Sequence, residues 1–353
     1  MNLPLDVTEK IAFRLRSIYN QQGYTQYKMS KFEEYDLYAR NKDFLLSDNV
    51  ITFTDLSGKL MALKPDVTLS IVKNSPDDAQ NVKKLYYHES VYRVSRNSHA
   101  FREIQQVGLE ALGNIDDYCI LEVLQLAKKS LEQISGDCVL EISHLGLISA
   151  LTEDLSGQQK AEIFRCVGSK NLHELAAVCA DAGVCEEKTA LLQALASIGG
   201  APETVLPQVR KLLDGTVDTK PLELLEQLSA VLGNQIRIDF SVVDDIHYYN
   251  GIVFKGFVRG VPDAVLSGGQ YDKLMRKMNR KSSAIGFAVY MDLLERLEQE
   301  EDAYDVDTVL LYADEPIARI SAAAKAIADN GKTVAVYRQI PDGLRCREVK
   351  TVR

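Results

Sequence analysis

The feature that most constrains this chain is a pair of alternating segments, residues 85–93 and 102–113, separated by a short polar stretch. Alternation of this kind on both sides of a polar loop predicts two antiparallel strands. Side chains two positions apart on a strand share a face, so Gln106, Gly108 and Glu110 point the same way and the residues between them point the other way. We therefore expect a hairpin with one apolar face and one face that carries an amide, a gap and a carboxylate.

Arginines surround the polar face of this hairpin. Arg93 closes the first strand, and Arg96 and Arg102 flank the loop. Such a face suits a small ligand that has an amine or imidazole at one end and a carboxylate or phosphate at the other. A half-exposed hairpin with ordinary surface charges explains the same residues, and the hairpin alone leaves both interpretations open.

Composition limits the class of protein. The 353 residues, 46% hydrophobic and 26% charged, suffice for one large domain with smaller additions. No apolar run is long enough to span a bilayer, and the first fifteen residues carry charges too early for a signal peptide, so we expect a cytoplasmic protein. The net charge of -9 argues against broad electrostatic binding to nucleic acid.

The cysteines do not predict a metal site. None of the six forms a CxxC pair, and no histidine lies at metal-ligand spacing. We therefore expect reduced thiols, no metal and no cofactor.

Two further stretches frame the hairpin. Residues 49–62 read as a hairpin, and residues 63–74 as a helix with Pro65 at its first position and Asp66 and Thr68 at its mouth. From propensity alone, helix capping explains Asp66 better than ligand binding does.

Further along, residues 146–233 have helical periodicity, and residues 305–353 read as a small βαβ segment after an acidic linker.

Six motifs in order resemble the histidyl-tRNA synthetases and their paralogues, the regulatory subunits of ATP phosphoribosyltransferase. They read MALKPDVT, YYHESVYRVSR, FREIQQVGLEALG, YYNGIVFKGF, LSGGQYDKLM and AIGFAVYMDLLERL. The resemblance implies an α+β fold: a class II aminoacyl-tRNA synthetase-like core, with an antiparallel sheet flanked by helices, over residues 1–300. The helical insertion of residues 146–233 and the C-terminal α/β segment of residues 305–353 complete this expectation.

The resemblance also implies a histidine site. Asp66 matches the residue that holds the amino group, Arg93 matches the arginine that contacts the carboxylate or phosphate end, and Glu110 would face the imidazole. The full expected set is Asp66, Thr68, Arg93, Gln106, Glu110, Tyr248, Tyr249 and Tyr271. Arg93 and Arg96 are candidate anion-binding residues. A carboxylate favours a protonated imidazole, and tyrosine hydroxyls can bond a ring nitrogen.

Two positions that drive adenylation in the synthetases differ here. Asp244 stands where the family pattern has an arginine, and Leu293 follows Asp292 where the third synthetase motif has another; Arg296 lies three residues too late. At about 5 Å and an effective dielectric of about 20, replacing Arg by Asp beside a phosphate changes the interaction by roughly 6 kcal/mol. Each ~1.4 kcal/mol in the barrier is tenfold in rate, so we expect no adenylating enzyme.

The resemblance then implies a regulatory subunit that is not itself an enzyme. Its expected partners are a short-form ATP phosphoribosyltransferase catalytic subunit, histidine as effector of feedback control in histidine biosynthesis, and a second copy of the chain. No membrane or nucleic-acid partner is expected. The alternatives are a working histidyl-tRNA synthetase and a stand-alone synthetase-like protein that binds an amino acid, and Asp66 in place of the family's frequent Glu leaves room for altered selectivity.

Overall fold

The computed structural model describes residues 6–42, 45, 50–94, 100–233, 235–243, 248–295, 297 and 304–352. By contacts, the chain divides into a large unit, Thr8–Leu297, and a small unit that contains the described residues 304–352. Arg96, Asp244 and Arg296, which entered the expectations above, lie outside the described residues. Within the described part, no helix has both the length and the apolar character needed to cross a membrane.

The large unit contains twelve helices and twelve strands among its described residues. The helices are α1 Val7–Gln21, α2 Tyr35–Ala39, α3 Thr68–Asn74, α4 Asp117–Ile134, α5 Leu145–Leu151, α6 Gly157–Gly168, α7 Leu172–Asp181, α8 Glu186–Ser197, α9 Pro202–Leu213, α10 Lys220–Leu232, α11 Asp272–Lys277 and α12 Met291–Leu294. The strands are β1 Thr25–Gln26, β2 Phe32–Glu34, β3 Thr52–Thr54, β4 Leu60–Leu63, β5 Lys83–Val94, β6 Phe101–Gly113, β7 Cys138–His144, β8 Gly199–Gly200, β9 Ile236–Asp239, β10 Ile252–Val258, β11 Leu266–Gln270 and β12 Ser283–Tyr290.

A nine-stranded sheet forms the centre of the large unit. Its order is β1-β5-β6-β12-β11-β10-β7-β9-β8. The five pairings from β5 to β7 are antiparallel, whereas β1 pairs with β5, and β7 with β9, in parallel. The predicted hairpin is confirmed as β5 and β6, and the predicted antiparallel sheet flanked by helices is confirmed for this central part.

One face of the sheet packs on helices and forms the core. Val107, Leu109 and Ala111 of β6 are completely buried on this face. The ring of Tyr19 from α1 meets Phe287 of β12 edge-on, with 5.9 Å between ring centroids. Helix α4 covers β7, β10 and β12, and the Asp116 side chain caps its start by accepting a hydrogen bond from the Cys119 amide. The opposite face carries the polar side chains of β6 together with a second buried cluster, which includes Tyr87 and Val91 of β5 and Leu69 of α3.

The helix after β4 begins later than its sequence suggests. The prediction that Pro65 occupies the first helical position is wrong, because α3 starts at Thr68. The preceding residues are tied to β5 instead: the Tyr92 amide donates to the Lys64 carbonyl oxygen, and the Arg93 Nε donates to that of Pro65. Lys64, 1% exposed, also forms an ion pair with Glu89 of β5. These contacts tie the segment before α3 to β5, so the helix begins only after it.

Helices α5 to α10 occupy the chain between β7 and β9, with β8 as a two-residue interruption at Gly199–Gly200. Their buried residues are mainly leucines, and the Ser156 and Gln159 side chains form a capping box at the start of α6. A separate small sheet, β2-β4-β3, lies earlier in the chain, and β4 leads directly into the segment of Lys64 and Asp66.

The small unit is a parallel three-stranded sheet with one helix. Its elements are β13 Val306–Leu311, α13 Ile317–Asp329, β14 Val334–Tyr337 and β15 Cys346–Thr351, in the strand order β14-β13-β15. The predicted strand–helix–strand pattern is therefore present, with a third strand added after it. No described residue of α13 is fully buried, and the buried residues of the unit are Val306, Thr308, Val309 and Leu310 on the central strand and Val352 after β15.

Candidate functional site

All eight residues expected to bind histidine line one cavity of about 280 Å³ on the polar face of the central sheet. Period-two alternation places Gln106 and Glu110 on this face, and both are buried, at 4% and 2% exposure. The alternative of a half-exposed hairpin with surface charges is therefore wrong at these two positions. Arg96 lies outside the described residues, so the second candidate anion-binding residue has no structural account.

Glu110 is a buried carboxyl group in the lining of the cavity, with 2% of its surface exposed. The Thr68 hydroxyl donates to its Oε1 at 2.7 Å, and the Tyr271 hydroxyl donates to its Oε2 at 2.6 Å. Burial nevertheless raises the pKa of Glu110 to about 8, with the Asp66 charge adding to the rise and the two hydroxyl donors opposing it. The carboxyl group on its own is therefore mainly protonated at neutral pH, and a bound cation would favour its ionised form.

Two glycines make room for this arrangement. A Cβ atom on Gly286 of β12 would lie 1.8 Å from the Glu110 Oε2, so Glu110 can extend across β12 only because residue 286 has no side chain. A Cβ atom on Gly108 would lie 2.5 Å from the Tyr87 hydroxyl oxygen, so Tyr87 covers the sheet at that position for the same reason. The Tyr87 ring therefore occupies the space that the missing side chain of Gly108 leaves between Gln106 and Glu110.

Three tyrosines form one wall of the cavity. The ring centroids of Tyr248 lie 4.7 Å from Tyr249 and 5.6 Å from Tyr271. Tyr248 also hydrogen-bonds with Thr68, and burial raises the pKa of both Tyr248 and Tyr271 well above the usual value, so both keep their protons. The wall therefore combines flat apolar surfaces with hydroxyl groups, which suits an aromatic nitrogen heterocycle.

Asp66 both caps a helix and lines the cavity. Its Oδ1 accepts a hydrogen bond of 2.8 Å from the Leu69 amide, which is the capping role that propensity favoured. Burial raises the pKa of the Asp66 carboxyl group, while the Leu69 amide and Arg93 lower it. Arg93 itself is oriented by the hydrogen bond of 3.1 Å from its Nε to the Pro65 carbonyl oxygen. The cavity therefore holds the buried carboxyl group of Glu110, the partly buried carboxyl group of Asp66 and a guanidinium.

Sequence reasoning missed several side chains of the cavity. The most polar of them are Tyr87, Lys255, Ser267 and Tyr290. Period-two spacing from Arg93 would have found Tyr87, and a lysine inside the otherwise apolar stretch IVFKGFV was a signal for Lys255. Ser267 and Tyr290 required the strand register, which pairs Ser267 with Ala288 and Tyr290 with Gln106.

One other cluster has metal-ligand side chains among the described residues. Glu162, Cys166 and Glu174 offer ligand atoms within 4.8 Å of one another. The Arg165 guanidinium forms ion pairs with both carboxylates, so these two potential ligands are already engaged by a cation of the protein.

Comparisons with known proteins identify sequences similar to this chain. The family model described as histidyl-tRNA synthetase matches residues 5–294. A curated ATP phosphoribosyltransferase regulatory subunit from Bacillus anthracis is 25% identical over 348 residues, covering 93% of this chain and 82% of the relative. Another with that name, from Oceanobacillus iheyensis, is 24% identical over 305 residues, covering 83% and 75%.

Solved structures show the same fold. A Bacillus halodurans protein described as an ATP phosphoribosyltransferase regulatory subunit/histidyl-tRNA synthetase superposes with a TM-score of 0.81 at 24% identity, covering 99% of this chain and 96% of that one. A histidyl-tRNA synthetase from Nostoc gives 0.75 at 15% identity, covering 97% and 88%. A chain of the ATP phosphoribosyl transferase complex from Thermotoga maritima gives 0.63 at 19%, covering 82% and 98%.

The predicted class II synthetase-like fold is thereby confirmed. Because the family model covers most of the sequence, the chain belongs to the histidyl-tRNA synthetase family.

Proposed function

We propose that this chain is a non-catalytic regulatory subunit of an ATP phosphoribosyltransferase that binds histidine and passes its presence to a short-form catalytic subunit. The names of the curated relatives and the Thermotoga maritima complex support the partner. The observation that supports histidine as the effector is Glu110, a buried carboxyl group that accepts hydrogen bonds from Thr68 and Tyr271 in a cavity lined by tyrosines.

In the proposed complex, each basic nitrogen of histidine faces a carboxyl group and its carboxylate faces a guanidinium. The imidazole lies against the tyrosine wall and bonds Glu110, the amino group faces Asp66, and the carboxylate faces Arg93. A buried charge is stable only when paired, so the two carboxyl groups favour a ligand with two basic nitrogens over one with a single amine.

Feedback requires histidine to bind one state of the assembled enzyme more tightly than another. Asp66 lies three residues after the end of β4, so the segment that lines the cavity directly follows the small sheet β2-β4-β3 in the sequence. A change at Asp66 on binding would therefore reach this sheet directly. A homodimer within a hetero-oligomer is part of the same proposal, and light scattering of the purified chain measures it.

A working synthetase is the second candidate, because the family includes synthetases. It predicts histidine-dependent exchange of pyrophosphate into ATP. Leu293 in place of the third-motif arginine, and Asp244 in the sequence, oppose it. A stand-alone amino acid-binding protein is the third candidate, and a panel of amino acids in which histidine does not stand out would favour it.

Calorimetry with wild-type protein and a Glu110→Ala variant tests the site. Truncating one partner of a buried charge pair costs about 2–5 kcal/mol, so histidine affinity should fall by roughly 30-fold or more. Glu203→Ala, on the exposed surface of α9, is the matched control and should leave affinity unchanged. Unchanged histidine affinity in the Glu110→Ala protein would show that Glu110 does not bind histidine.

Histamine, which lacks the carboxylate, separates the two ends of the site. Arg93→Met should weaken histidine binding and leave histamine binding within a factor of about two, because only histidine offers a partner to the guanidinium. Equal weakening of both ligands would mean that Arg93 supports the fold of the cavity rather than the carboxylate.

A further inference from the structure

The small sheet β2-β4-β3 has two faces of different character. Residues that lie opposite one another on neighbouring strands share a face, so Glu33, Thr52 and Ala62 lie together on one side. The other side, which we call the outer face, carries four apolar side chains and, at its edge, one acidic and one basic side chain. These are Phe32, Phe53, Met61 and Leu63, with Glu34 and Lys59.

The side that carries Glu33 packs against α3. The Ser70 hydroxyl donates to Glu33 Oε1 at 3.0 Å, and the Lys73 ammonium forms an ion pair of 3.0 Å with Glu33 Oε2. Ala62, directly opposite Glu33 on β4, is fully buried. Because side chains alternate along a strand, the outer face points away from α3.

The outer face is both apolar and exposed. The rings of Phe32 and Phe53 meet edge-on across β4, with 5.3 Å between their centroids, yet 49% and 39% of these residues stay exposed. An antiparallel sheet that packs on the protein with one face normally carries polar side chains on the other. Here the acidic Glu33 faces the protein and the neighbouring Phe32 faces outward. A contiguous exposed apolar surface of this kind marks an interaction site.

The size of the outer face fits the centre of a protein–protein contact. Three strands spaced about 4.8 Å apart, each about four residues of 3.4 Å long, give an area of roughly 200 Å². A standard interface buries about 800 Å² on each partner and has an apolar core inside a polar rim. The four apolar side chains therefore suffice for the core, and Glu34 and Lys59 belong to the rim.

The charges at the edge favour a second copy of this chain as the occupant. Glu34 and Lys59 form an ion pair of 2.7 Å and are both about half exposed, so the outer face is neutral in a chain whose net charge is -9. A twofold axis brings the same face of two copies together, and Glu34 of each copy can then meet Lys59 of the partner subunit. The face is thus complementary in charge to itself.

Helix α3 connects the outer face to the cavity. Its first residue, Thr68, donates to Glu110 at 2.7 Å, while Ser70 and Lys73 on the same helix contact Glu33. Glu33 in turn follows Phe32 directly in β2. A displacement of β2 by a docked copy would therefore reach Glu110 through one helix of seven residues.

We propose that the outer face of the small sheet is a twofold contact with a second copy of this chain, and that α3 couples this contact to the histidine cavity. The contact deepens the homodimer of the proposed function by naming its surface. The coupling rests on the proposed function, since it takes histidine as the ligand of the cavity.

Sedimentation velocity of the full chain without ligand tests the contact. Phe53→Ser should raise the dimer dissociation constant at least 100-fold, because both copies lose the same apolar anchor. Val231→Ser removes an exposed apolar side chain from α10 instead and should leave the constant unchanged. Phe53→Leu keeps the site apolar and should dimerise within about tenfold of wild type. A monomeric wild type, or a Phe53→Ser protein as dimeric as wild type, overturns the contact.

A mixing experiment separates a twofold contact from any other occupant. Lys59→Glu and Glu34→Lys each place like charges across the axis, so each protein alone should dimerise roughly tenfold more weakly than wild type. An equimolar mixture pairs an acidic with a basic side chain at both positions and should regain the wild-type dimer. A mixture no more dimeric than its components contradicts the twofold arrangement.

Histidine added to the sedimentation experiment tests the coupling. It should shift the wild-type dimer dissociation constant about fivefold or more, and dimerisation should change histidine affinity by the same factor. Glu33→Gln removes the ion pair with Lys73 but leaves the outer face intact, so it should still dimerise and should lose most of this shift. No shift in wild type, or an equal shift in both proteins, overturns the coupling.

Calorimetry with histidine separates these outcomes from the proposed function. Wild type that dimerises through Phe53 but never binds histidine would contradict the proposed function and leave the contact standing. Wild type that binds histidine while Phe53→Ser stays fully dimeric would overturn the contact and leave histidine binding untouched.

Discussion

Replacing Glu110 by glutamine should stabilise the free protein while it weakens histidine binding. The carboxyl group has a pKa of about 8 in the fold against 4.5 as its ordinary value. A raised carboxyl pKa means that the folded state keeps a proton that the unfolded state has lost, so stability falls as pH rises from 4.5 to 8. At about 1.4 kcal/mol per pKa unit, the cost is about 1 kcal/mol at pH 5, about 3 at pH 7 and about 5 at pH 9.

Glutamine has nearly the same shape and no charge to lose, and its amide can still bond the Thr68 and Tyr271 hydroxyls. The variant should therefore match wild type near pH 4 and exceed its unfolding free energy by these amounts at higher pH. Urea denaturation at pH 5, 7 and 9 measures the difference, with Glu203→Gln on the exposed face of α9 as control. A difference that is zero, negative or independent of pH would refute the reasoning.

Three further outcomes follow from the same geometry. Histidine affinity should be greatest between about pH 6.5 and 8, where the imidazole and Glu110 together carry the one proton that they share in the complex. Below this range binding must release a second proton, and above it binding must take a proton from water. Calorimetry from pH 5 to 9 measures this dependence, and an affinity that rises steadily to pH 9 contradicts it. Tyr271→Phe should weaken histidine binding by about tenfold through loss of a charge-assisted hydrogen bond. Gly286→Ala should abolish histidine binding, measured by calorimetry, because its Cβ would lie 1.8 Å from the Glu110 Oε2 and 2.4 Å from the Leu109 carbonyl oxygen.

The hairpin shows how far sequence reasoning reaches. Alternation in residues 102–113 fixes the faces of β6, so it places Gln106 and Glu110 on the polar face and Val107 and Leu109 in the core. The periodicity of two is a local property, and no tertiary contact is needed to infer it. The motif resemblance then supplied the distant tyrosines and Asp66, which the fold brings to the same cavity.

What the sequence could not supply depends on contacts between distant elements. The start of α3 moved from Pro65 to Thr68 because Tyr92 and Arg93 bond the carbonyl groups before it, and propensity does not contain those bonds. Ser267 and Tyr290 could be placed in the cavity only through the strand register, which pairs them with Ala288 and Gln106. The raised pKa of Glu110 likewise depends on burial, which residue type does not reveal.

The central claim is that histidine bound at Glu110 controls a phosphoribosyltransferase. Its most direct test is to mix the chain with a short-form catalytic subunit and to measure phosphoribosyl transfer to ATP with and without histidine, using wild type and Glu110→Ala. We expect activity that appears on mixing, falls with histidine for wild type, and persists in histidine for Glu110→Ala. Absence of activation by any cognate catalytic subunit, or equal inhibition of both mixtures by histidine, would contradict the claim.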